Sequence, residues 1–73
     1  MRNFHFHLED ERFETPQELV VEASGEARAR QIAERMLAQS IHHKGVDVWE
    51  DGQRLFGLGS YAARSWGEQG RRA

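Results

Sequence analysis

Val46-Asp47-Val48-Trp49-Glu50-Asp51-Gly52-Gln53-Arg54-Leu55-Phe56-Gly57-Leu58 decides the fold, because it reads as two short β-segments around an Asp-Gly turn. Asp-Gly between alternating apolar residues is a strong hairpin signal. The length of the loop decides which side chains share a face. A two-residue Asp51-Gly52 turn would set Val48 beside Leu55, and Trp49 with Phe56 on the opposite face. A three-residue loop with Gly52 at a left-handed bulge instead aligns Val46 and Val48 with Phe56 and Leu58. The second arrangement gathers four apolar groups on one side and is preferred. It leaves Trp49 and Leu55 on the other face.

Upstream, Asn3-Phe4-His5-Phe6-His7-Leu8 alternates strictly, with Phe4, Phe6 and Leu8 on one face and His5 and His7 on the other. Period two with aromatics marks a half-buried strand. The acidic run Glu9-Asp10-Glu11 and Thr15-Pro16 then form a loop, since proline has no amide hydrogen and keeps Thr15 out of helix. Glu18-Leu19-Val20-Val21-Glu22 reads as a second strand, paired with the first as a hairpin, with Leu19 and Val21 to one side and Val20 to the other. Between the hairpins, Ala27 to Gln39 is built of good helix formers. Ala29, Ile32, Ala33, Met36 and Leu37 recur at helical spacing. The helix is expected from about Gly25 to His42, capped by Ser24, with Glu26 and Arg30 paired on its outer side. His42, His43 and Lys44 suit the negative end of its dipole, and Gly45 is expected to leave in a left-handed conformation.

The expected architecture is α+β, a small four-stranded antiparallel sheet in the order ββαββ with one helix on one face. Its core would be Phe4, Phe6, Leu8, Leu19, Val21, Ile32, Ala33, Met36, Leu37, Val46, Val48, Phe56 and Leu58. The domain covers residues 1–58. Residues 59–73 form a C-terminal tail, partly ordered or disordered, whose first half suits a helical turn carrying Tyr61 and Trp66.

With 73 residues there is room for one domain. Ten Lys+Arg against twelve Asp+Glu give a net charge of -2, which disfavours a chain devoted to wrapping nucleic acid or lying on an anionic membrane. The charge is uneven: residues 1–22 sum to -4 and residues 52–73 to +3. Head-to-tail attraction between subunits is one reading of this asymmetry, and a solvated surface is the other. No cysteine is present, so disulfides, thiolate zinc and a thiol nucleophile are excluded. No apolar run could span a bilayer or act as a signal peptide, and the expected compartment is the cytoplasm.

Phe4, Phe6, His7 and Leu8, the Glu22-Ala23 step, the stretch from Ala27 to Leu37 and the hairpin from Val46 to Phe56 together resemble a group of short bacterial proteins of unassigned function. These share an aromatic-rich first strand ending in Phe-His, an Ala/Arg/Glu-rich helix and a final acid-Gly hairpin. The resemblance covers residues 1–58 and implies the ββαββ fold and a bacterial cytoplasmic setting. It brings no activity, cofactor or catalytic residue, and the aromatic and basic tail departs from it.

Candidate chemistry is sparse. His5-x-His7 sets two imidazoles ~7 Å apart along one strand face. With a third ligand from His42, His43 or Asp47 they could hold zinc, copper or nickel, but no motif of fixed spacing completes such a site. Two surface imidazoles are the expectation, and no metal or cofactor is assigned. Their charge change between pH 5 and 8 would make any association through them pH-dependent. His42-His43-Lys44 reads as a helix end ahead of a phosphate site, and Glu9-Asp10-Glu11 with Glu14 as a solvated loop ahead of a cation chelate. Ser24, Ser40, Ser60 and Ser65 lack a nucleophile elbow, and Gly57-x-Gly59 is too short to cradle phosphate. An enzyme is not expected.

One helix shields one face of a sheet. His5, His7, Val20, Asp47, Trp49 and Leu55 are therefore expected on a bare face, and grouped aromatic and aliphatic residues of this kind mark an interaction surface. The contact would use Trp49, Leu55, Val20, His5 and His7, with Tyr61 and Trp66 as additions, and its first partner would be a second copy, giving a homodimer. The alternative within one chain is that Tyr61 or Trp66 folds back over Trp49. A second reading is a nucleic-acid-binding accessory protein that uses the aromatic face with Arg54, Arg64, Arg71 and Arg72. A third is a small inhibitor that masks a larger host or phage-related protein.

Overall fold

The computed structural model describes residues 1–62; Arg64, Trp66, Arg71 and Arg72, and every expectation placed on them, lie outside the described residues. The chain runs β1 (Arg2–Asp10), β2 (Gln17–Ala23), α1 (Glu26–Ala38), β3 (His43–Glu50) and β4 (Gln53–Gly59). The strands form one antiparallel sheet in the order β2-β1-β3-β4, with α1 packed mainly over β3. β1 and β3 are thus the inner strands, and they supply the deepest side chains. Phe4, Phe6, Val46 and Val48 are fully buried, and Leu8 nearly so. From the helix come Ala29 and Ala33, whose small side chains let α1 approach the sheet closely. Val21, Ile32, Met36, Leu37, Phe56 and Leu58 close the core at its margins. Leu19 is the exception to the expected core: β2 is an edge strand away from the centre of α1, and Leu19 remains 38% exposed.

The last hairpin combines the turn of one reading with the facing pairs of the other. Glu50 pairs with Gln53 around a two-residue turn, with Asp51 at φ 53° and Gly52 at φ 76°. Two positive φ values are the turn geometry that matches the strands' right-handed twist. Val48 nevertheless faces Phe56 and Val46 faces Leu58, because Trp49 pairs with Arg54 and leaves Leu55 as an extra residue. Bulges of this kind bend a strand and re-aim a side chain. Here Leu55 packs against the buried cluster, which removes it from the face where the sequence set it.

The helix is shorter than expected at its C-terminus. It begins after Gly25, an extended residue at φ -177°, with no side-chain cap from Ser24, and gives way at Gln39. Residues 39–42 form a turn: the Ser40 hydroxyl accepts from the His42 N–H at 3.1 Å and the Ser40 carbonyl from the His43 N–H at 3.1 Å. This releases the chain early enough for β3 to start at His43, so Gly45 lies in a strand and is not the helix terminator. His43 still serves the helix end, since its Nδ1 donates to the Met36 carbonyl at 2.7 Å. Arg30 makes no ion pair with Glu26 among the described residues; its guanidinium lies 4.5 Å from the centre of the Phe56 ring and shields it.

Two runs that look independent in the sequence meet at this end of the sheet. Asp10 is buried and accepts from the Arg12 backbone N–H at 2.9 Å and from Arg12 Nε at 3.0 Å, which shapes the turn out of β1. Glu11 Oε2 receives His42 Nδ1 at 2.8 Å, and Lys44 Nζ lies 3.6 Å from Glu11 Oε1. The acidic run is therefore a partner of the His-His-Lys run.

Candidate interaction surface

Strand alternation sends the odd residues of β1 and β3 and the even residues of β2 to the face opposite α1. The pairing then builds two cross-strand rows. One row is Val20, His5, Trp49 and Arg54; the next is Glu18, His7, Asp47 and Gly57. His5, His7, Val20 and Trp49 therefore share this face, as the sequence predicts. Arg54 takes the place expected for Leu55.

Asp47 organises the centre. Although only 6% exposed, its carboxylate accepts from Trp49 Nε1 at 2.8 Å and from Arg54 Nε at 2.6 Å. A carboxylate in a strand can lie this deep because both partners share its face. The consequence for Trp49 is orientation: its one donor is used inside the chain, and the ring is held tilted beside His7, with centroids 5.9 Å apart at 40°.

At Gly59 the chain turns with φ +64°, and residues 60–62 enter a helical turn laid back over the sheet. The Ser60 hydroxyl donates to Glu9 Oε1, and Arg54 Nη2 to the Tyr61 carbonyl at 3.3 Å. Tyr61 lies above Gly57, where a Cβ would collide with it, and is 6% exposed. The chain thus folds back through Tyr61 over Gly57, and not over Trp49 as expected, so Tyr61 is a cover and not part of the bare surface. Trp66 lies outside the described residues.

Among the described residues, nothing covers the other half of the face. Val20 is 63% exposed, and a shallow depression of about 230 Å³ is lined by His5, His7, Glu18, Trp49 and Gly52. On its β2 side, Glu18 Oε2 faces His7 Nε2 at 3.2 Å. Among the described residues, four carboxylates (Glu9, Glu18, Glu22 and Asp47) share this face with one guanidinium, Arg54, which is turned onto Asp47. Sequence reasoning missed Glu18 and the Asp47–Arg54 link. The first was readable from the alternation of Glu18, Val20 and Glu22; the second depends on the bulge at Leu55. Among the described residues, no three His, Asp or Glu side chains gather as metal ligands. No helix of the described residues is long and apolar enough to cross a membrane. Comparison with family models, curated proteins and solved structures gives no match for this chain.

Proposed function

We propose that the chain is a non-enzymatic protein-interaction module, working in a bacterial cytoplasm, that self-associates through the half of the sheet left bare by α1 and Tyr61. The observation that carries this reading is Trp49. An aromatic ring held in place by an internal hydrogen bond, at a shallow hollow and in the same cross-strand row as the exposed Val20, loses little freedom when a partner docks. The charge pattern supports a second copy as that partner. The bare face is acidic, whereas residues 52–73 sum to +3. Placing the basic third of each copy against the face of the other closes a two-fold dimer. Nucleic-acid binding has less support, since Arg54 is committed to Asp47 and Glu18 lines the hollow with the aromatic ring.

Sedimentation equilibrium tests the reading. At pH 7.5 the expected mass is twice the 8.5 kDa of one chain. Trp49→Ala should shift it towards the monomer with helix content kept. A wild-type monomer at every concentration, or a variant that sediments as wild type does, contradicts the reading.

A further inference from the structure

We infer that the hollow lined by His5, His7, Glu18 and Trp49 receives a single arginine side chain from the polypeptide docked on the sheet. The inference rests on the reading of this face as an interaction surface, and it names the chemistry that the surface selects.

Size comes first. About 230 Å³ is below the usual range for cofactor pockets but suits one long side chain. Chemistry narrows the guest further. The Trp49 N–H is already donated to Asp47, so the indole offers a visitor only its ring, and an indole face is the best aromatic partner for a cation. Beside it stands Glu18, whose Oε2 faces His7 while Oε1 has no partner among the described residues. The imidazole of His7, a cation only when protonated, is the basic group beside Glu18 among the described residues, and Arg54 is turned onto Asp47. An anionic guest would meet these carboxylates, and an apolar one would strip water from Glu18 without replacing it. A planar guanidinium can stack on the indole and donate to the carboxylate at the same time, which a compact ammonium does less well.

The test is an NMR titration of the full chain, dilute enough to be monomeric, with N-acetyl-arginine amide. N-acetyl-citrulline amide, which keeps the shape without the charge, and N-acetyl-lysine amide are the comparisons. Arginine amide should move the Trp49 indole and His7 resonances saturably and bind about 3- to 10-fold tighter than citrulline amide. Glu18→Gln, a change at an exposed residue that leaves the core intact, should remove most of that preference. Citrulline binding as well as arginine, or shifts outside the hollow, overturns the inference. A chain that dimerises in the centrifuge but shows no arginine shift at Trp49 loses this inference alone. A chain that binds arginine as a permanent monomer loses self-association and keeps the site.

Discussion

Asp47 and Asp10 are both buried carboxylates, but they stabilise different things. Asp47 ties Trp49 on β3 to Arg54 on β4, so Asp47→Ala leaves a guanidinium and an indole N–H without their acceptor. The expected loss is about 2 kcal/mol in urea unfolding, accompanied by a change in tryptophan emission. Asp10 holds the turn after β1. The Arg12 guanidinium, helped by the Arg12 backbone N–H and His43, keeps its carboxyl far below the ordinary 3.8. His42 lowers Glu11 in the same direction, as Arg2 does Glu50. A carboxyl whose pKa is lower in the folded chain contributes stability above its unfolded value, and that contribution is lost as pH falls through the folded one. Stability should therefore drop below about pH 4.5, and Asp10→Asn should flatten this acid limb while weakening the domain at neutral pH. Acid titration of the far-ultraviolet dichroism checks both signs. An unchanged limb in the variant would mean that Asp10 is not its main source.

At the scale of elements, the strands and the helix were legible because each carries its own periodicity. Phe4, Phe6 and Leu8 alternate, and Ala29, Ile32, Ala33 and Met36 follow the helical repeat. The facing pairs Val46–Leu58 and Val48–Phe56 were also readable, from the demand that apolar groups share a side. What periodicity could not supply was the means. A two-residue turn plus a bulge gives the same register as a three-residue loop, and only the former turns Leu55 inwards. Likewise the helix end depends on where β3 must begin, which is a tertiary requirement and not a local one. Two glycines separate local strain from packing. Gly52 has a positive φ over open space, so Gly52→Ala should cost about 1 kcal/mol. Gly59 has a similar φ, but a Cβ there would also collide with the Lys44 carbonyl. Gly59→Ala should therefore cost about 2 kcal/mol or more and loosen Tyr61 from the sheet. Thermal melts of the two variants check the ranking; equal losses would show that the turn into residue 60 tolerates movement.

For the whole molecule, one sheet has two differently finished faces. α1 seals one, and among the described residues the other is divided between a part covered by Tyr61 and a part around Trp49, His5, His7 and Val20 that they leave uncovered. Alternation in the sequence showed that His5, His7, Val20, Asp47 and Trp49 lie on the second face, but it set Leu55 there in place of Arg54 and passed over Glu18. The sequence offered self-association and fold-back as rivals, and a single short turn after Gly59 lets the chain have room for both. The claim that the bare half is where copies meet is tested most directly by a dilution series of amide and indole NMR spectra at pH 7.5. The account predicts that signals from His5, His7, Val20 and the Trp49 indole move with concentration, while those from Arg28, Gln31 and Arg35 on the outside of α1 stay fixed. Spectra that do not change on dilution, or changes confined to the outside of α1, would contradict it.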